Sequence, residues 1–475
     1  MTHDDSRRLT KSDFLLYLDA PRHLWAKKNG RIEIPLSDFD RLLSEQGYAV
    51  EALARETLES VYLAAHPRAD LFWQSRYADG PFEARADALM YWPDGGQYDL
   101  YEIKSSTGVD KTDLYDIAFQ ALVLHSQIDL RRCFVLHLNK EYIQAAETDL
   151  AWLFVAEDVT EAVAGLLPEV AELRQGALLA ALARDPDELP HCLTPRDCPC
   201  PAVCHPGLPE FSIFDIPRLG QKKKAELLGM GIRDAAAIPP AFDLNAVQRA
   251  VAEGARTHRE RLDRPALAAE LARLRFPLWF LDYETCNLAV PRYPGYRPQQ
   301  QIVFQYSLHC LETPQGPLRH FGHIALGGGD PARELLEHLA GDLGGSGSVI
   351  VWNKTFEMTR NREMAGLHAD FADFLEGVNA RVYDLGEIVN RGIYLHPGFK
   401  GSWSIKNVLP VMVPELSYQG LPIHEGGQAS MAWWRMACGD ADAAQRETLR
   451  ADLEHYCALD TLAMVEIYRR LAALL

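Results

Sequence analysis

Leu278-Trp279-Phe280-Leu281-Asp282-Tyr283-Glu284 is an apolar run that turns acidic at its end. Four bulky apolar residues in succession read as a buried strand. Alternate side chains of a strand share a face, so Asp282 and Glu284 point the same way. Two carboxylates so placed suit a hard divalent cation, which takes oxygen ligands. Asp-x-Glu alone is common at solvated strand ends, so its meaning depends on the chain around it. Downstream, Ile302–Cys310 and Leu318–Ala325 read as further strands, 331–343 as a helix, Ser348–Asn353 as a strand and Gln445–Leu475 as a long final helix. Tyr456 and Asp460 are four residues apart there and lie on one side of the helix. Asp460 can complete the acidic cluster, and Tyr456 can hydrogen-bond an attacking water or a phosphate oxygen.

A second acidic constellation lies near the other end of the chain. Phe82–Trp92 reads as a strand, Pro93-Asp94-Gly95-Gly96 as a tight turn and Tyr98–Lys104 as the returning strand. Glu102 and Lys104 then share a face, with Tyr101 and Ile103 in the opposite layer and Asp87 on the partner strand. Two carboxylates can hold a cation, and an adjacent ammonium can orient water and stabilise charge on a phosphate. A helix expected from Asp110 to about Ser126 carries Asp113, Asp116 and Gln120 along one stripe. Gln120 can contact substrate or a metal-bound water. The bland alternative is an exposed cross-strand Glu–Lys pair. Helices over residues 1–30, capped by Thr10 or Ser12, and over 44–65 come before, and a strand at Cys133–Leu138 and a helix over 156–185 come after. That alternation makes a compact α/β core.

Four of nine cysteines crowd into one short loop: Cys192, Cys198, Cys200 and Cys204. Thiolates at such spacing select zinc or an iron–sulfur cluster. The other five are scattered, as thiols in a reducing compartment are. Residues 211–239 read as two short helices about Leu219-Gly220, like a helix–hairpin–helix, and 244–274 is helical again. A net charge of −18 argues against a protein that coats nucleic acid electrostatically. It leaves room for an enzyme with local basic groups. No apolar run spans a bilayer, and Met1-Thr2-His3-Asp4-Asp5 does not begin a secretory signal, so a cytoplasmic protein without a membrane partner is expected.

Asp87, Glu102-Ile103-Lys104 and Gln120, on a hairpin–helix frame, resemble the PD-(D/E)xK nucleases. With the opening around Lys11-Ser12-Asp13-Phe14 and Pro21-Arg22-His23-Leu24-Trp25, they resemble more narrowly the RecB-type and CRISPR-associated exonucleases. That likeness covers about the first 205 residues. It implies magnesium or manganese on Asp87 and Glu102, with Lys104 catalytic. It also implies an iron–sulfur cluster, ahead of zinc, on the cysteines. The family's N-terminal cysteine ligand falls at Ala20, so Cys200 is the expected fourth ligand. Two further positions depart from the pattern: Glu51 stands where the family often has histidine, and Leu124 where it has tyrosine.

Asp282, Glu284, Tyr456 and Asp460, with Asn353-Lys354-Thr355-Phe356-Glu357 between them, resemble the tyrosine subtype of the DEDD exonucleases, which are DnaQ-like and have an RNase H-like fold. This likeness covers about residues 275–475 and implies Glu357 as the third acidic ligand, a position usually held by Asp, with Asp384 as fallback. Gly401-Ser402-Trp403-Ser404-Ile405-Lys406 suggests substrate contacts: Trp403 stacking on a base, Ser404 capping a helix whose N-terminus faces a phosphate, and Lys406 neutralising backbone charge. The block and the order of the two regions resemble a family of bacterial RecB-like nucleases whose C-terminal domain long had no assigned function.

The expectation is therefore an α/β chain in three parts. Residues 1–205 form a PD-(D/E)xK-like domain with a cysteine metal site, 206–274 a helical connector, and 275–475 a DEDD-type exonuclease domain. The expected activity is metal-dependent hydrolysis of nucleic acid, DNA rather than RNA, at its ends, in repair or defence. One alternative is a nucleic-acid-binding protein whose first domain is a non-cutting clamp; another is a non-catalytic scaffold.

Overall fold

The computed structural model describes residues 8–32, 38–439 and 441–475. The opening Met1-Thr2-His3-Asp4-Asp5 lies outside the described residues. The chain is mixed α/β and divides into two units: Met1–Gly207 with Leu288–Gln300, and Leu208–Asn287 with Gln301–Leu475. This departs from the expected three parts. The expected connector is not a unit of its own but belongs to the second, and a short segment within 275–475 belongs to the first. Its expected pair of helices is a single helix, Gln221–Gly229, flanked by 3-10 turns at Ile213–Asp215 and Ala235–Ala237. The apolar residues there, Ile213, Ile216, Leu227, Ile238 and Val251, form a small core shared with helix Ala246–Thr257.

In the first unit, strands β1 (Leu9–Thr10), β2 (Asp70–Asp79), β3 (Phe82–Trp92), β4 (Gln97–Lys104), β5 (Asp129–Leu138) and β6 (Phe154–Asp158) form one sheet. Its order is β1-β3-β4-β5-β6, with β2 paired to β3 off that path. The β3–β4 hairpin turns at 93–96, and β4 runs parallel to β5 through helix Lys111–Leu124. Asp110 starts that helix with a reciprocal capping box, its side chain accepting from the Asp113 amide while Asp113 accepts from the Asp110 amide. Alternation decides the layers as expected. Tyr101 and Ile103 pack with Met90, Leu136 and Leu138, whereas Leu100 packs beneath the helix with Phe119 and Val123. The N-terminal helix expected over 1–30 is broken into Lys11–Asp19 and Pro21–Lys28, because Pro21 cannot continue the first and is suited to begin the second. Thr10 caps the first, in a capping box with Asp13.

In the second unit a two-residue strand β7 (Arg261–Leu262) precedes a five-stranded sheet. Its strands are β8 (Leu278–Asn287), β9 (Gln301–Leu311), β10 (Leu318–Ile324), β11 (Ser348–Val351) and β12 (Val382–Asp384); β13 (Tyr394–Leu395) pairs with β7. The sheet order is β10-β9-β8-β11-β12. The first three strands are antiparallel, and β8, β11 and β12 are parallel. Helix Lys354–Leu367 leads on from β11, and the final helix, Ala443–Ala473, lies across β8 and β9. Phe280 and Leu281 of β8 are fully buried, as the apolar run requires. Among the described residues no helix is long and apolar enough to cross a membrane.

Candidate metal centres

Glu102 stands on β4, where the sheet meets helix Lys111–Leu124, and is almost fully buried. Lys11 Nζ reaches its Oε1 at 2.7 Å, Lys104 Nζ reaches the same oxygen at 3.1 Å, and Gln120 Nε2 donates to Oε2 at 2.8 Å. Gln120 also donates to Asp116 Oδ1 at 3.0 Å, and Lys104 binds Asp116 Oδ2 at 2.9 Å. Asp87 accepts from the Ile103 amide at 3.1 Å and lies 4.0 Å from the Lys11 ammonium. The expected residues are thus close together, but Lys11, from the first helix, stands among Asp87, Glu102 and Asp116 with a charge that a cation would otherwise supply. Gln120 is wholly buried and its amide nitrogen is held by two carboxylates, so it tethers them rather than facing a substrate.

A backbone irregularity aims Asp87. Ala84 and Ala86 pack in one core cluster and Ala88 and Met90 in the other, so the inward face of β3 changes at Asp87. Opposite it, Gln74 of β2 has a φ of +50°. Non-glycine residues seldom adopt this conformation, and bulge-like kinks of this kind re-aim side chains. Gln74 Nε2 bridges Glu51 Oε1 at 3.1 Å and Asp87 Oδ1 at 3.5 Å, which brings Glu51 to the edge of the cluster. Leu124 is core packing. Burial and the nearby Glu102 push the Asp87 carboxyl up to about 7, and burial with Glu102 pushes Asp116 up to about 6. Burial opposes ionisation of Glu102 too, but Lys11 and Lys104 outweigh it and hold the group down at about 2.

The second unit builds a different cluster. Asp282 and Glu284 lie on one face of β8, just before a register shift at Glu284/Thr285. Asp282, half-buried, has its carboxylate among donor atoms from Glu284 and Cys457 that all lie within 4.8 Å of one another. The Cys457 thiol points at Asp282 Oδ2 from 3.9 Å. One turn on along the same helix, buried Asp460 accepts a hydrogen bond from the Tyr418 hydroxyl at 2.6 Å. The final helix is held to this side of the sheet by Gln305 of β9, which donates to the Leu453 carbonyl at 2.9 Å. Lys406 Nζ lies 5.6 Å from the Tyr456 ring centre and 5.9 Å from that of Tyr418, and donates to the His424 carbonyl at 2.7 Å.

Charge in this cluster is compensated only weakly, by Lys406 at Glu284 and Asp460 and by Arg360 at Glu357. Among the described residues, Asp282, Glu284, Glu357 and Asp460 make no salt bridge with any lysine or arginine. Their enclosed setting and the repulsion of Asp460, Glu284 and Glu357 push Asp282 well above the carboxylate range. Burial and Asp460 do the same to Glu284, against a modest pull from Lys406. Asp460 rises to about 6 through burial, restrained by a hydrogen bond from Tyr418, by the Lys406 ammonium and by a hydrogen bond from Tyr456. Glu357 rises to about 8 through burial and Asp384, and its Oε2 is buried with no hydrogen-bond partner among the described residues. The fallback, Asp384, is committed to the fold, because it accepts from the Lys354 and Gly386 amides. Buried carboxylates without a partner cost several kcal/mol each, roughly, unless protonated or met by a cation. The group offers carboxylate oxygens, with the Cys457 sulfur beside them, to a cation.

The expected substrate contacts fare unequally. Lys406 comes to the cluster. Ser404 stands at the start of helix Ile405–Met412 but makes no side-chain cap; its own amide donates to Ser402 Oγ at 3.1 Å. Trp403 is half-buried, its carbonyl accepting from Trp352 Nε1 at 2.9 Å and its ring packed where a Cβ on Gly386 would come within 3.1 Å. Tyr418, Cys457 and Lys11 were not foreseen as members of these sites. Only Lys11, within the opening motif, carried any sequence signal.

The cysteine loop is a third centre. Cys192, Cys198 and Cys204 come together with His23, their four donor atoms all within 4.8 Å of one another, with Cys198 half-buried and the other three buried. This differs from the expected four cysteines. Cys200 is buried with its Sγ 3.5 Å from that of Cys204, but is not a member of the group. His23 lies in the first turn of the Pro21–Lys28 helix, three residues beyond Ala20. Arg22 and Trp25 from that helix hydrogen-bond to the carbonyls of Leu189 and Ala183, tying the start of the unit to its end.

Comparison with known proteins adds little by name. A family model described as "Domain of unknown function (DUF2779)" matches residues 279–404, a span that includes Asp282, Glu284 and Glu357 but stops short of Tyr456 and Asp460. The chain is similar to the "Uncharacterized protein MG366 homolog" of Mycoplasma pneumoniae, 25% identical over 206 residues, or 40% of this chain and 31% of that relative. The matched segment is thus under a third of the relative's own length. No solved structure matches.

Proposed function

We propose that the protein is a metal-dependent nuclease whose cutting centre is the Asp282–Glu284–Glu357–Asp460 cluster. The observation that carries this reading is weakly compensated charge: Asp282 and Glu284 of β8 and Asp460 of the final helix repel one another, Glu357 of the helix after β11 adds its repulsion at Asp282, and among the described residues no lysine or arginine makes an ion pair with any of them. Proteins rarely leave such a group unpaired without a cation to bind. The strand order β10-β9-β8-β11-β12, with three antiparallel strands followed by two parallel ones, supports an RNase H-like fold for this unit.

Asp282, Glu284 and Asp460 would hold the cation, with Glu357 adding the fourth carboxylate. A divalent ion bound there supplies Lewis-acid stabilisation of phosphoryl oxygens and lowers the pKa of water. Tyr418 keeps Asp460 oriented through its hydroxyl. The Tyr456 hydroxyl, which burial and Glu284 keep protonated, is a donor for an attacking water or a phosphate oxygen. Lys406 stands where it can neutralise a backbone phosphate. The likeness to exonucleases favours DNA ends as substrate.

A second reading concerns the first unit. Lys11 and Lys104 already offset much of the charge of Asp87, Glu102 and Asp116, which favours a non-cutting clamp there, though a PD-(D/E)xK nuclease is the rival. Digestion of end-labelled single- and double-stranded DNA and RNA, with manganese or chelator, tests both. Cleavage lost in Asp282→Asn and kept in Lys104→Ala supports the clamp. Cleavage lost in Lys104→Ala gives the first unit a catalytic role, and cleavage untouched by Asp282→Asn sinks the main proposal.

A further inference from the structure

The likeness to CRISPR-associated exonucleases implies an iron–sulfur cluster on four cysteines, and the donor atoms do not fit one. In a cubane the four thiolates radiate from four separate iron atoms, so they stand far apart, with the cluster's own bulk between them. Here all four donors lie within 4.8 Å of one another, and one of them is an imidazole. A single tetrahedral ion with metal–sulfur bonds of about 2.3 Å sets its ligands roughly 3.8 Å apart. His23 Nε2 and Cys198 Sγ, at 3.3 Å, are at that scale.

We propose that His23, Cys192, Cys198 and Cys204 bind one zinc ion, a site of three thiolates and one imidazole that joins the first turn of the Pro21–Lys28 helix to the loop ending the first unit. Asp19 is the supporting residue. Its Oδ2 lies 2.5 Å from His23 Nδ1, the arrangement in which a carboxylate fixes the tautomer of a metal-bound histidine and leaves Nε2 free to ligate. Four protein side chains would fill all four positions of a tetrahedral ion, which marks a structural rather than a catalytic zinc site. Cys200 is packed beside the site among Ala20, Ala26 and Val203 and is not a ligand. The inference is independent of the proposed nuclease centre.

The test is metal content and cobalt spectroscopy on the full chain, purified anaerobically without added metal. The site predicts one zinc per chain, no acid-labile sulfide, and on exchange with cobalt(II) the absorption of a tetrahedral complex with three sulfur ligands and one nitrogen. Cys200→Ser keeps the zinc, and Asp19→Asn weakens binding by about ten- to a hundredfold. His23→Ala loses the metal. Should that variant fail to fold, His23→Cys serves instead, retaining zinc and shifting the cobalt spectrum to that of an all-sulfur complex. Stoichiometric iron with sulfide would overturn the proposal. So would zinc lost in Cys200→Ser but kept in His23→Ala, a His23→Cys cobalt spectrum identical to that of the parent, or no bound metal at all.

Discussion

In the first unit, Asp87, Glu102 and Asp116 surround two ammonium groups, with Lys11 touching Glu102 at 2.7 Å and Lys104 touching Asp116 at 2.9 Å. In the second, Asp282, Glu284, Glu357 and Asp460 make no ion pair with a lysine or arginine among the described residues, and Lys406 pulls only modestly on Glu284 and Asp460. Both clusters join a strand to a helix and both raise enclosed carboxyls, Asp87 and Asp116 in the first as well as those of the second, yet only the first holds one that its lysines keep ionised. Glu102 is held at about 2, while Glu357 is raised to about 8 and Asp460 to about 6. Acidic residues at a strand end therefore do not identify a cation site. The balance of fixed charge around them does, because a cluster already neutralised by lysines gains less from a metal than one that is not.

The largest expected effect is on cleavage. Asp282→Asn should lower manganese-dependent hydrolysis by about a hundredfold or more, on the scale of losing a preorganised electrostatic group, with folding retained on circular dichroism. Next is stabilisation by ligand. Manganese at about a hundred times its dissociation constant should stabilise the protein by about 2.7 kcal/mol in a thermal melt. The gain should vanish in Asp282→Asn and persist in Asp87→Asn; the reverse pattern would move the metal to the first unit.

Removing a lysine probes the other side of the contrast. Lys11→Met strips an ammonium from enclosed carboxylates and should cost about 2 kcal/mol in urea unfolding, below the roughly 3–5 kcal/mol of a fully buried pair because Lys11 keeps some exposure. A variant as stable as the parent would mean that Lys11 does not neutralise the cluster.

The two units should also differ in their response to low pH, where only the first holds a depressed carboxyl; at higher pH its raised Asp87 and Asp116 act in the same direction as Glu357 and Asp460. Glu102 is depressed in the folded state, so its contribution is present above the ordinary glutamate range and lost as pH falls toward about 2. Glu357 is raised, so the folded protein keeps a proton that the unfolded chain has released. Its contribution is present at low pH and lost as pH rises through the ordinary range to about 8. Metal-free melts should therefore decline across that upper window, and Glu357→Gln should flatten its upper part, the remainder coming from Asp87, Asp116 and Asp460. The smallest effect is expected at Tyr418. Its replacement by Phe removes one hydrogen bond to Asp460, worth about 1.5 kcal/mol or roughly a tenfold loss of cleavage.

Much of both sites follows from local periodicity. Alternation along β4 puts Glu102 and Lys104 together above a core of Tyr101 and Ile103, the same rule pairs Asp282 with Glu284, and one helical turn sets Asp460 beside Tyr456. These relations are legible because the interacting residues are two or four positions apart and the backbone period alone orients them. Capping residues Thr10 and Asp110, the break at Pro21 and the turn at 93–96 belong to the same class, each decided by the chemistry of a few adjacent residues.

What only the tertiary structure decided is which distant groups meet. Lys11 reaches Glu102 across 91 residues, Tyr418 reaches Asp460 across 42, and His23 reaches Cys198 across 175. Cys200 sits in the cysteine loop yet stands outside the metal group, while a histidine from the first helices joins it. Charge compensation and ligand choice depend on separations in space, which the packing of sheet against helix sets and no local period encodes. The chain's pattern thus determined where carboxylates and thiols would be presented, and the fold determined which of them would be left without an ion-pair partner.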